Sequence, residues 1–166
     1  MKTKETFVFI KMKFEEEANQ FVELCLKEKV QFMLVGGAAV NFYGYKRHSA
    51  DIDFWIKPSE ENFKKLLAVF QHMSYSIKNL PQEVKDGKQN VSIKISPEQE
   101  IEIITMFNPN KSFDEAYGEA NEFKLGRKSI KKMKVIHLND LIASKAKSRR
   151  TKDMLDIVEL KRIHNL

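Results

Sequence analysis

Asp51 and Asp53 stand two residues apart in Asp51-Ile-Asp-Phe-Trp-Ile56, an otherwise apolar run. Alternate residues of a strand face the same side, so both carboxylates project together while Ile52 points away. Two like charges this close repel, and such a pair commonly serves to hold a divalent cation. Upstream, Leu34-Val-Gly-Gly-Ala38 ends an apolar strand in a Gly-Gly turn that opens a helix. Such a turn can aim backbone N–H groups at a phosphate. A metal site and a phosphate turn close together in sequence point to nucleotide chemistry.

Glu102 is a third acid of interest. It lies in Ile101-Glu-Ile-Ile-Thr105, a stretch otherwise suited to burial, where Glu is poorly tolerated without a partner. If this strand runs beside Asp51–Asp53, three carboxylates converge. Hard oxygen ligands of this kind suit Mg²⁺, with Mn²⁺ as a substitute, and two such ions can clamp an in-line phosphoryl displacement. Glu102 would then be a ligand, or the base beside the attacking hydroxyl. The plainer alternative puts Glu100 and Glu102 on the solvent face of an edge strand.

Apolar spacing places the elements that must carry these residues. Phe14 to Lys29 reads as a helix, Gln31 to Val35 as a strand, and Ala38 to Tyr43 as a short helix. Asp51 to Lys57 is a strand, and Pro58-Ser-Glu-Glu61 starts a helix that runs to about Met73. Leu80 to Gln89, with Pro81 and Asp86-Gly87, reads as a loop. Val91 to Ile95 and Glu100 to Met106 form an antiparallel hairpin. Phe123 to Leu125 and Met133 to Ile136 are short strands around a Gly126 turn. Leu138 to Lys147 and Thr151 to Ile163 are the closing helices.

The order Gly-Gly turn, Asp-x-Asp strand, later single carboxylate resembles the nucleotidyltransferase superfamily related to DNA polymerase beta. A nearer resemblance is to small bacterial members, including abortive-infection and toxin–antitoxin nucleotidyltransferases. It rests on Val35-Gly-Gly-Ala-Ala39, Tyr43-Gly44, Arg47-His-Ser-Ala-Asp-Ile-Asp53, Asp140-Leu-Ile142, Lys145, Arg150-Thr-Lys-Asp153 and Asp156, with Ser49 in the usual Thr place.

The resemblance implies an α/β fold: a short mixed, twisted sheet with helices mainly on one face and a C-terminal helical pair closing the cleft. It implies one domain over residues 1–166, with a catalytic core at about 30–107 and a helical part at about 138–166. It also implies transfer of a nucleoside monophosphate from an NTP such as ATP to a hydroxyl or phosphate acceptor, releasing pyrophosphate. Asp51, Asp53 and Glu102 would bind metal, although many members carry Asp where Glu102 stands. Gly36, Gly37 and Ser49 would hold the β- and γ-phosphates, assisted by Arg47 and Lys145.

Arg47 and Arg150 can each grip a phosphate with two N–H groups, and Lys145 and Lys152 can reach one as point charges. Asp153 and Asp156, three apart on one helix face, would orient those cations rather than bind metal. The plain alternative for Lys145–Lys152 is a hydrated helical surface. The acceptor is a small molecule, tRNA or a protein. In the toxin branch an antitoxin is the expected partner, and a partner or homodimer mate would supply part of the acceptor pocket. A catalytically silent nucleotide-binding or regulatory module is the remaining alternative.

Composition sets the outer bounds. The 166 residues carry a formal charge of +6. The excess gathers in Lys124–Lys134 and Lys145–Lys152, which read either as a solvated basic face or as a surface for polyanions. No apolar run is long enough for a membrane span, and Met1-Lys-Thr-Lys-Glu5 lacks the pattern of a signal peptide. Cys25 is the sole cysteine, which favours a buried thiol and a cytoplasmic home. His48, His72, His137 and His164 have no zinc spacing. Neither Gly-x-Gly-x-x-Gly nor a Gly-Lys-Ser/Thr loop occurs, which argues against dinucleotide and P-loop sites.

Overall fold

A computed structural model describes residues 16–125 and 131–166. Phe14, the N-terminal pentapeptide, Gly126 and the middle of the Lys124–Lys134 basic stretch lie outside the described residues. Elements run α1 Glu16–Lys27, β1 Phe32–Val35, α2 Gly36–Phe42, β2 Asp51–Ile56, α3 Glu60–His72, α4 Gln82–Lys85 and β3 Val91–Lys94. They continue as β4 Glu100–Ile104, α5 Phe113–Glu119, β5 Asn121–Lys124, β6 Lys132–Val135, α6 Leu138–Ser148 and α7 Thr151–His164.

The six strands form one mixed sheet in the order β3-β4-β2-β1-β6-β5. The pairs β1–β2, β3–β4 and β5–β6 are antiparallel, whereas β2–β4 and β1–β6 are parallel. This is the mixed α/β sheet implied by the motifs, and the expected β3–β4 hairpin is present.

Period-two burial divides β2 cleanly. Ile52, Phe54 and Ile56 are buried on one face, while Asp51 and Asp53 are only half-buried on the other. Phe54 meets Phe21 of α1 and Phe32 of β1 at 5.5 Å between ring centres, and α3 packs beside α1. Burying a large apolar side chain contributes about 1.5–3 kcal/mol, so this aromatic layer fixes β2 in place. Trp55 faces the other way. Its ring lies against Phe107 and against Phe113 of α5, which fits the expectation that it packs in the core or on an entering helix. Cys25 is fully buried in α1, and burial pushes its thiol pKa up, so it is an inert packing residue.

The elements depart from expectation in several places: α5 Phe113–Glu119 has no counterpart in the sequence reading, β4 ends at Ile104 rather than Met106, and β5 begins at Asn121 rather than Phe123. Helix α2 begins at Gly36 rather than Ala38, so the two glycines form its first turn instead of preceding it. Within the stretch read as a loop, Gln82–Lys85 makes one helical turn after Pro81. Val84 is buried there and its carbonyl accepts a hydrogen bond from Thr105 Oγ1 at 2.5 Å. A single anchoring residue in a polar stretch leaves no periodic signal.

Candidate active site

β2 and β4 run parallel with Asp53 opposite Glu102 and Asp51 opposite Glu100. Residues directly opposite in a sheet share a face, so the register itself brings Glu102 beside the Asp pair. β4 lies between β3 and β2, so Glu102 belongs to an interior strand and the edge-strand alternative falls.

Gly36 is held against Asp53. It has φ +65°, and a Cβ placed on it would fall 2.0 Å from Asp53 Oδ2. Both the left-handed backbone and the close approach require glycine. Gly37 is crowded similarly, because a Cβ there would meet Ser49 Oγ at 2.7 Å and Arg47 Nη2 at 2.9 Å. The Ser49 hydroxyl donates to the Asp51 carbonyl at 2.8 Å. The first turn of α2, the Arg47–Ser49 loop and the start of β2 therefore close into one wall.

The carboxylates are electrostatically strained. Asp53 has its pKa raised to about 7, mainly by burial, then by hydrogen bonding and repulsion from Glu102 and repulsion from Asp51, with Lys145 pulling the other way. Its Oδ1 is buried without a hydrogen-bond partner. Glu102 Oε1 instead accepts from Asn90 Nδ2 at 2.8 Å.

Opposite this acid wall, α6 and α7 present a buried ion-pair network. Lys145 (6% exposed) places Nζ 3.0 Å from Asp153 Oδ1 and 2.7 Å from Asp156 Oδ2, and both acids are 1% exposed. Asp156 also holds Arg47, whose Nη2 donates to Oδ2 at 3.0 Å, while Nε lies 2.7 Å from Oδ1 as an ion-pair contact without hydrogen-bond alignment. Arg150 Nε donates to Asp153 Oδ2 at 2.6 Å, and Ser148 Oγ donates to the same oxygen. Burial pushes the Asp153 carboxyl up, but the bonds from Ser148, Arg150 and Lys145 outweigh it and hold the pKa down to about 2. Three cations on two carboxylates leave the network net positive. Lys152 is exposed and has no ion pair among the described residues.

Both walls line one cavity of about 590 Å³, which touches Gly36, Gly37, Arg47, Ser49, Asp51, Asp53, Glu102, Lys145, Arg150, Lys152 and Asp153. Asp156 lies behind the wall, against Arg47 and Lys145. Among the described residues, no three acidic, histidine or cysteine side chains close round a common point as a finished metal cluster. The donor chemistry nevertheless fits a hard divalent cation, because Asp53 Oδ1 is an unpartnered carboxylate oxygen facing like charges. Asp51, Asp53 and Glu102 are the residues that would hold it.

The solved structures decide the fold. The chain is similar to the lincosamide antibiotic adenylyltransferase LnuA, solved with lincomycin bound, at 19% identity and TM-score 0.58, covering 90% of this chain and 98% of that one. It is also similar to ANT(2")-Ia in complex with adenylyl-2"-tobramycin, at 11% identity and TM-score 0.52, covering 88% and 86%. The chain has the nucleotidyltransferase fold. No protein-family model matches it, and no curated protein matches it in sequence. Within this nucleotidyltransferase fold, the acid wall occupies β2 and β4 and the cationic wall the C-terminal helix pair.

Several cavity residues escaped the sequence reading. Asn90 precedes β3, where Ser92 lies opposite Glu102, and the alternate-residue rule places Asn90 diagonally on the same face. Ser144 and Ser148 line the cavity from α6, one turn apart and flanking Lys145, a helical spacing that was open to notice. Lys124, Lys132 and Lys134 of the basic stretch, by contrast, fall on β5 and β6, at the far end of the sheet from β4. No described helix is long and apolar enough to cross a membrane.

Proposed function

We propose that this protein transfers a nucleoside monophosphate from an NTP to a hydroxyl acceptor, releasing pyrophosphate. The observation that carries this reading is the pairing of charges across one cavity: repelling carboxylates on β2 and β4, and facing them the cations Lys145, Arg150 and Lys152 of the α6–α7 pair, joined by Arg47 from the loop before β2. A triphosphate needs cations along its length, and its reacting phosphorus needs charge neutralised as the bond exchanges.

Arg47, Ser49, Lys145, Arg150 and Lys152 bind the β- and γ-phosphates, with Gly36 and Gly37 letting the chain approach closely. Asp153 and Asp156 fix the directions of Lys145, Arg47 and Arg150. Mg²⁺ or Mn²⁺ held by Asp51, Asp53 and Glu102 would supply Lewis-acid neutralisation of charge at the α-phosphate. Glu102 accepts the proton of the acceptor hydroxyl. The oxygen bonds to the α-phosphorus as the bond to the β-phosphate oxygen breaks, and pyrophosphate leaves with that electron pair. The adenylyltransferase LnuA and the adenylyl conjugate bound to ANT(2")-Ia support ATP as the donor.

ATP labelled at the α-phosphate, with Mg²⁺ and candidate acceptors, tests the reading. Label should enter an acceptor with the natural chain and not with Asp53→Ala. Absence of both transfer and ATP binding would refute it.

A further inference from the structure

Asn90 lines the cavity beside the acid wall, and the transfer reading gives it no part. Its Nδ2 donates to Glu102 Oε1 at 2.8 Å. Facing a carboxylate, an amide can present only its NH2 group, so the direction of this bond is fixed. Glu102 has one more rotatable bond than Asp51 or Asp53, and it stands half-buried at an open cavity. A side chain of that kind keeps one direction only when a neighbour holds it.

The chain leading to Asn90 is itself pinned. The turn Gln82–Lys85 is anchored by Val84, which is 1% exposed and whose carbonyl accepts from the buried Thr105 hydroxyl just past the end of β4. Gly87, at φ +73°, lies so close to Met106 that a Cβ on it would fall 2.5 Å from the Met106 Cβ. Backbone and space both exclude a side chain there. The amides of Lys88 and Gln89 turn back onto the Glu83 carbonyl at 2.8 and 3.1 Å. The chain then enters β3, where the pairing of Ser92 with Glu102 sets the register. Polar connections of this sort are commonly the least anchored parts of a fold. This one is fastened to the end of β4 at Thr105 and Met106, and it meets the strand again at Glu102.

We propose that Asn90 is a positioning residue for the transfer reaction: braced by residues 82–90, its amide holds the Glu102 carboxylate in place beside the Asp pair. This rests on the nucleotidyl-transfer reading above, in which Glu102 binds metal or takes the acceptor's proton. Asn90 touches no reacting atom and acts through Glu102. Removing a hydrogen bond that orients a metal-binding carboxylate costs roughly 10–100-fold in metal affinity or activity.

The test titrates Mn²⁺ into the full chain and reads free Mn²⁺ from its electron paramagnetic resonance signal. The natural chain is compared with Asn90→Ala, Glu102→Gln and the double variant. Asn90→Ala should weaken Mn²⁺ binding about tenfold in the natural background and less than about twofold beside Glu102→Gln, the non-additivity of two residues that act as a unit. With α-labelled ATP and saturating Mg²⁺, Asn90→Ala should lower kcat about tenfold and leave the KM for ATP within about twofold. Because Asn90 is exposed, its melting temperature should move by no more than about 2 °C. Unchanged Mn²⁺ affinity overturns the proposal. So does equal weakening in both backgrounds, which would mean that Asn90 meets the metal itself. Label transfer as fast in Asn90→Ala as in the natural chain also overturns it, and leaves the nucleotide reading standing. A natural chain that neither binds ATP nor transfers label ends both.

Discussion

The α-carbon of Gly36 lies beneath the Asp53 carboxylate, so close that a Cβ there would fall 2.0 Å from Oδ2. Glycine at this point joins the first turn of α2 to the acid strand, and the carboxylate's position depends on it.

Gly36→Ala therefore carries two costs. Alanine at φ +65° is strained by about 1–2 kcal/mol, and its methyl displaces Asp53. The expected outcome is a modestly lowered melting temperature and loss of the rise produced by Mg²⁺ with ATP. A retained rise would show that Asp53 need not stay where it is.

Asp156 separates anchoring from contact, since it lies behind the cavity wall and ties Arg47 to Lys145. Asp156→Ala leaves the buried Lys145 with one partner and Arg47 with none among these acids. Breaking such a buried pair costs about 3–5 kcal/mol, a melting shift on the order of 10 °C for a chain of this size. A loss of one or two degrees in calorimetry would mean that the network adds little.

Lys152 makes the contrasting case. It is exposed, lines the cavity and has no ion pair among the described residues. Lys152→Ala should leave stability within about 0.5 kcal/mol while raising the KM for ATP, because only a ligand contact is lost. A destabilised variant with unchanged KM would assign Lys152 to the fold instead.

The raised pKa of Asp53 has a defined sign. Burial first, then Glu102 and Asp51, lift it from 3.8 to about 7 in the folded chain. Between those values the native state binds more protons than the unfolded state. The stability due to this group is thus complete below pH 3.8 and is lost as pH rises through about 7. The melting temperature of Asp53→Asn, measured against the natural chain across that window, should gain steadily and level off above it. Mg²⁺ should stabilise the natural chain most at the alkaline end, where Asp53 is charged. A constant difference between the two chains would contradict the assignment.

How legible was all this from sequence? Asp51 and Asp53 were plain, because strand alternation is local and Ile52 is buried between them. The helix pair carrying Lys145 and Asp153 was equally plain from spacing and its resemblance. The sheet order was not. Pairing of β1 with β6 and of β2 with β4 brings distant segments together, and only tertiary packing selects those partners. The same holds for Arg47, read as a phosphate ligand, whose guanidinium is already gripped by Asp156. The Asn90–Glu102 bond also depends on a hairpin register that composition does not encode.

Binding of ATP to the natural chain and to Asp53→Asn, by titration calorimetry with and without Mg²⁺, tests the central claim most directly. The two-walled site predicts that the natural chain binds ATP more tightly when Mg²⁺ is present. It also predicts that Asp53→Asn loses this metal-dependent gain while the α6–α7 cations preserve the weaker metal-free binding. Equal ATP binding by both chains in Mg²⁺, or no binding by the natural chain, would contradict it.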